Sequence, residues 1–113
     1  MICLLTERRL HPGTFERFRE AWDPPDGERP EQLVRAYHLR AVDDPDHVIS
    51  FGLFDVTRQE FEALMADPEM AELQRARMAA MSEFIAEMGV DKAFEVADIV
   101  EGPRGEDDGA LLA

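Results

Sequence analysis

Thiols are almost absent from this chain. One cysteine, Cys3, stands among 113 residues, so no internal disulfide can form and folding needs no oxidising compartment. No run approaches the roughly 20 consecutive apolar residues that cross a bilayer. Positive charge is scarce too: 12 Lys and Arg stand against 25 Asp and Glu, for a net charge of −13. Phosphate backbones and anionic headgroups repel such a surface, so neither nucleic acid nor a membrane is expected as a partner. Met1-Ile2-Cys3-Leu4-Leu5 runs straight into Thr6-Glu7-Arg8-Arg9, without the leading positive charge and cleavage site of a signal peptide, and cytoplasmic residence is expected.

Cofactor signatures are missing as well. There is no Gly-rich phosphate loop and no dinucleotide fingerprint. Cys3, His11, His38 and His47 lack metal-ligand spacing. Asp43, Asp44 and Asp46 resemble the start of a calcium loop, but Pro45 and the missing distal glutamate read as a turn. No metal, flavin or nicotinamide is expected.

What is present is a hydrophobic content of 45 %, enough for one globular domain, expected over 1–101 and followed by an acidic, mobile tail over 102–113. The apolar opening reads as a strand over Met1–Leu10, broken by His11-Pro12-Gly13. Thr14 is placed to cap a short helix to Trp22, on which Phe15, Phe18 and Trp22 recur at helical spacing. After a proline-rich loop, strands are predicted over Gln32–Val42 and His47–Asp55, folded back at Asp43-Asp44-Pro45-Asp46. The second of these is apolar on both faces, as a central strand covered on both sides would be. Thr57 and Glu60 fit a capping box that opens a long helix, with a kink or restart at Asp67-Pro68. The spacing of Met78, Met81, Ile85 and Met88 carries that helix to about Glu87, with Gly89 as its stop. Lys92–Val100 reads as the last strand, and Ala110–Ala113 offers a short apolar end.

The order is β-α-β-β-α-β, a ferredoxin-like α+β fold with a four-stranded antiparallel sheet and two helices on one face. Such a sheet leaves its other face bare. With the opening strand, His11-Pro12-Gly13, the Val48–Phe54 strand and the Phe61, Pro68, Met81 and Phe84 pattern of the long helix, residues 1 to 100 resemble the dimeric α+β barrel superfamily. Within it they resemble the antibiotic-biosynthesis-monooxygenase-like domains. The resemblance implies a homodimer paired through the sheet face and a ligand pocket between helices and sheet. It also implies chemistry drawn from cofactor-free oxygenases, haem-degrading oxygenases, isomerases, cyclases or proteins without catalysis. The haem-degrading and cofactor-free types place a Trp on or near the second helix, whereas Trp22 here lies on the first.

The candidate catalytic residues sit on the strands. His38 is a general base or a hydrogen-bonded core histidine. Tyr37 and Arg35 share a strand face, as a phenol and guanidinium that hold an enolate or carboxylate, or as an interface pair. Ser50 is expected near Tyr37 or Leu39 across the hairpin. Trp22 is a stacking lid or a core contact. Phe61, Met65, Met81 and Phe84 form an apolar wall, either for a ligand or simply as core. Cys3 reads as a small buried residue, and His11 and His47 as solvated. The leading expectation is a small cofactor-independent monooxygenase acting on an aromatic or polyketide-like molecule. In it His38 or Tyr37 removes a proton and Arg35 holds the anion. The alternatives are a non-catalytic binding or structural dimer, and an isomerase or cyclase using the same base without oxygen.

Overall fold

A computed structural model describes residues 1–25, 27 and 29–104. Four strands and three helices follow in the order β1 (Ile2–Leu10), α1 (Phe15–Trp22), β2 (Leu33–Ala41), β3 (Asp44–Phe54), α2 (Arg58–Ala66), α3 (Pro68–Met81), a single 3-10 turn (Ser82–Phe84) and β4 (Ile85–Glu95). The sheet order is β2-β3-β1-β4, and every neighbouring pair is antiparallel. This is the ferredoxin-like α+β arrangement. The expected mobile tail, and the docking of Ala110–Ala113, fall beyond Arg104 and outside the described residues.

The strand phases decide what meets the helices. On β3, Val48, Ser50 and Phe54 are buried, while Ile49, Phe51 and Leu53 between them are half-buried. Register then assigns the other strands. Leu4 and Thr6 lie opposite Gly52 and Ser50, and Ala36 and His38 lie opposite the same two residues from the other side. All of these point toward the helices. Leu5 and Tyr37 flank Phe51, and Cys3 and Arg35 flank Leu53, on the opposite face.

Two packed clusters join sheet to helices. One is Leu10, Phe18, Val48 and Met81, with Phe15, Trp22 and Phe84 against it; the other is Ile2, Phe54 and Val56, with Leu33, Phe61 and Leu64. Phe18, Leu10 and Val48 are the largest fully buried side chains, each contributing about 1.5–3 kcal/mol by area removed from water.

The capping box forms as expected: Glu60 N–H donates to Thr57 Oγ1 at 3.1 Å, and Thr57 N–H to Glu60 Oε1 at 2.8 Å. Asp67, extended at φ −67° and ψ 125°, ends α2 and caps α3, with Pro68 at the first position of α3. The long helix is therefore two helices.

Three local expectations are corrected. Thr14 does not cap α1; its hydroxyl donates to the His11 carbonyl at 2.8 Å. Gly13 there takes φ +75°, a left-handed turn open to glycine at no steric cost. The hairpin turns on Val42 and Asp43, since Ala41 pairs with Asp44, so Pro45 lies in β3. The second helical segment stops at Phe84, and the last strand occupies Ile85–Glu95 rather than Lys92–Val100. Ile85 and Met88 pair with Leu10 and Arg8 as strand residues. Gly89 does not stop a helix. It sits in the strand with Glu7 against it, and a Cβ there would lie 2.9 Å from the Glu7 carboxyl carbon.

Candidate functional site

Between the two clusters the helices and sheet do not meet. A cavity of about 650 Å³ remains, floored by Leu4, Thr6 and Arg8 of β1, His38 of β2, and Ser50 and Gly52 of β3. Its walls are Arg19 and Trp22 of α1, Asp23 and Pro24 just after it, Leu73, Arg77, Met78 and Met81 of α3, and Asp91 of β4. Small side chains at Thr6, Ala36, Ser50 and Gly52 leave the floor low, while the large residues of both clusters hold the roof off it.

His38 and Ser50 face each other across the β2–β3 ladder, and Ser50 Oγ lies 2.7 Å from His38 Nδ1. Ser50 thus meets His38, not Tyr37 or Leu39. A symmetric turn around Asp44-Pro45 does not form: the hairpin turns on Val42 and Asp43, and an irregularity between Arg40 and Ala41 takes up extra β3 residues and brings Ser50 opposite His38. Three aromatic rings crowd the imidazole. Trp22 stands edge-on with centroids 4.6 Å apart, Phe18 at 5.8 Å and Phe15 at 6.3 Å. Burial in this cage, and then the positive charges of Arg19 and Arg8, push the His38 pKa down to about 4. At neutral pH His38 is an uncharged imidazole.

In the sequence Arg8 is one charge within the run Glu7-Arg8-Arg9 and does not stand out. Strand phase was the available signal: Ile2, Leu4, Thr6, Arg8 and Leu10 alternate inward. Arg8 is only 4 % exposed, with its guanidinium carbon 5.3 Å from the centroid of the Phe18 ring. Its Nε and Nη1 are buried and have no hydrogen-bond partner among the described residues. Burial works against its charge, and Asp91 partly offsets that. Arg77, equally inconspicuous in the sequence, donates from Nε and Nη2 to the Trp22 carbonyl at 2.9 and 2.7 Å, with its guanidinium carbon 4.6 Å from the indole centroid. Asp23 is engaged by Arg29 at 2.6 and 3.1 Å. A chain of charge −13 has thus gathered cations about its cavity.

The other residues singled out in the sequence divide by position. Trp22 and Met81 line the cavity with His38 and Ser50. Phe61 packs in the Ile2–Phe54 cluster and Phe84 in the Leu10–Phe18 cluster, so both are core rather than cavity wall. Met65 is half-buried on α2, away from the cavity lining. Tyr37 stacks on Phe51, centroids 4.7 Å apart, on the uncovered face, where a proton at His38 is out of its reach. Arg35 is exposed, borders the cavity and registers opposite Leu53 on that same uncovered face. Cys3 is half-buried there, and burial raises its pKa. His47 is not simply solvated: its Nε2 lies 2.8 Å from Glu7 Oε2. Among the described residues no group of three or more His, Cys, Asp or Glu side chains is placed to hold a metal ion. No helix among them is long and apolar enough to cross a membrane.

A helix-covered antiparallel sheet in the order β2-β3-β1-β4, with a cavity between layers, can be compared with solved structures. The fold is that of the antibiotic biosynthesis monooxygenase domains. A protein of that name from Chloroflexus aurantiacus superposes with a TM-score of 0.59 at 16 % identity, over 89 % of this chain and 98 % of that one. Another from Nitrosomonas europaea gives 0.54 at 18 % identity, over 83 % and 94 %. SnoaB, a cofactor-independent oxygenase from Streptomyces nogalater, gives 0.54 at 15 % identity, over 89 % and 97 %. At these identities the likeness is one of fold. No family model matches the sequence, and no curated protein matches it.

Proposed function

We propose that the cavity binds a small, ionisable aromatic molecule of polyketide type and that the chain oxidises it with dioxygen, without a cofactor. The observation that carries this reading is a neutral imidazole, braced by a serine hydroxyl, at the floor of an aromatic-walled cavity. The fold shared with SnoaB supports it.

In this reading His38 Nδ1–H donates to Ser50 Oγ, which leaves the Nε2 lone pair as the base. Nε2 takes a proton from an enolisable carbon of the substrate. An imidazole this weakly basic succeeds only where the enolate is stabilised as it forms, and the nearby guanidinium charges supply that field. The enolate passes an electron to dioxygen, and the radical pair joins as a peroxide anion that recovers the proton from His38. Loss of the second C–H proton and of hydroxide yields a carbonyl and water. One oxygen atom enters the product and the other leaves as water. Trp22, Met78 and Met81 exclude solvent from the anion. Tyr37 has no step here. It belongs with Leu5, Phe51 and Leu53 to a face on which a second copy would pair, closing a dimeric α+β barrel. We place the enzyme's work in the cytoplasm, in keeping with a lone cysteine, Cys3.

Oxygen uptake on an enolisable tricyclic ketone such as anthrone tests the assignment. One dioxygen consumed per ketone formed is expected, with His38→Gln slower by about 10²-fold or more. Turnover without oxygen consumption would instead make the protein an isomerase or cyclase. Tight retention without turnover would make it a binding protein.

A further inference from the structure

We propose that the ligand of this cavity carries a carboxylate beside its ring system, and that the buried guanidinium of Arg8 receives it. The proposal rests on the cavity being a small-molecule site and deepens that reading by naming the charge its ligand bears.

The cation is unusual in its setting. At 4 % exposure Arg8 is effectively out of water, yet Nε and Nη1 find no acceptor among the described residues. A guanidinium cannot escape this by losing its proton. A buried charge without a counter-ion is strongly unfavourable, and a fold keeps one only where something compensates. The Phe18 ring, 5.3 Å away, compensates in part. Two other cations of the cavity are occupied, Arg77 by the Trp22 carbonyl and Arg29 by Asp23, while Arg19 and Arg35 on the same lining are exposed to water. The acid that acts on Arg8 through its charge is Asp91, but Asp91 is exposed and accepts from Thr6 Oγ1 at 3.4 Å instead.

The geometry also limits the anion. One buried guanidinium without a partner suits a single charge, whereas Asp23 and Asp91 on the same lining disfavour a phosphate dianion. Trp22, Met78, Met81 and Leu73 supply apolar surface for a ring system next to that charge. A carboxylate taken at Arg8 would fix the ring's orientation toward His38, which shares the Phe18 ring as a neighbour.

Equilibrium titration calorimetry under nitrogen, with 1-hydroxy-2-naphthoate and 1-naphthol as probes, decides it. The native protein is expected to bind the acid at least about tenfold tighter than the naphthol. Arg8→Met should bring that ratio to near one by weakening the acid alone, and its unliganded melting temperature should equal or exceed the native value. Asp91→Asn, which removes a competing negative charge, should tighten the acid a few-fold and leave the naphthol unchanged. Equal binding of the two probes, no binding of either at millimolar concentration, or an acid preference that survives Arg8→Met would overturn the proposal. So would an Arg8→Met chain that fails to fold together with an Asp91→Asn chain whose acid binding is unchanged or weaker, because Arg8 would then be a structural partner of Asp91. No turnover is read, so these outcomes are independent of the oxygen-uptake test on His38.

Discussion

Ser50 is the one hydrogen-bonding partner that the described residues give His38, and it holds Nδ1 at 2.7 Å from the strand directly opposite. Both side chains are fixed by backbone that cannot slide without turning every residue of β2 to the wrong face. Ser50→Ala therefore removes a partner without freeing the ring to find another. A loss of about 1–2 kcal/mol is expected in urea unfolding, and the 15N shifts of His38 should move toward a mixed tautomer population. Unchanged shifts would mean that the ring is positioned by its aromatic cage alone.

His38 also makes stability depend on pH. Its pKa is 6.5 in an unperturbed setting and about 4 in the fold, chiefly through burial and then through Arg19 and Arg8. Between those values the unfolded chain holds the proton and the folded chain does not. Stability from this group is therefore complete above about pH 6.5 and declines as pH falls toward about 4. The whole span amounts to at most about 3 kcal/mol. Urea midpoints of the native chain should drop across that window, and those of His38→Gln should stay nearly flat. Parallel slopes in the two proteins would assign the acid sensitivity elsewhere.

Gly89 presses against a carboxylate. Glu7 accepts from the Val90 N–H at 3.4 Å and meets His47 at 2.8 Å, and these bonds hold its pKa below the usual carboxylate range. Gly-to-Ala in a strand ordinarily adds a few tenths to 1 kcal/mol by restricting the unfolded chain. Here the new methyl displaces Glu7, so Gly89→Ala is expected to lower the melting temperature. Combining it with Glu7→Ala should recover the gain. A double-mutant cycle with no coupling would show that Glu7 swings aside freely.

The uncovered sheet face is apolar at its centre. Leu5 lies on β1 between Phe51 and Lys92, and at the margins Leu39 is 45 % and Phe94 39 % exposed. If a second copy covers this face, Leu5→Asp should convert a dimer to a monomer in sedimentation velocity, with the helical circular dichroism signal retained. A native chain that sediments as a monomer at every concentration would remove the barrel.

Much of this architecture is written in local patterns. The capping box at Thr57, the Asp67-Pro68 restart and the two-faced apolar character of β3 each depend on neighbours within a few residues, so they can be read without coordinates. The end of α3 cannot. Met78, Met81, Ile85 and Met88 fit a helical stripe, yet β4 is an edge strand exposed along most of its length, and its sequence carries little alternation to announce it. Pairing to β1 decides the matter, and that pairing spans some eighty residues. The site shows the same division. His38 and Trp22 stood out as rare residue types on regular elements. Arg8 looked like one charge among several, because its burial comes from Phe18 and from the helix layer laid over β1, neither of which is adjacent in the chain. The neighbour of Ser50 is not legible, since the register depends on an irregularity between Arg40 and Ala41 that residue types do not announce.

Arg77 ties its guanidinium to the carbonyl of Trp22, one of the terminal acceptors that α1 cannot satisfy internally. Alone, a helix of eight residues has little hold on its own shape. The outer wall of the cavity is therefore borrowed: its last turn is finished by a residue 55 positions further along. When that grip loosens, Trp22 and Arg19 leave with the turn that bears them. Amide exchange at that helix end then reads how firmly α3 holds the last turn of α1.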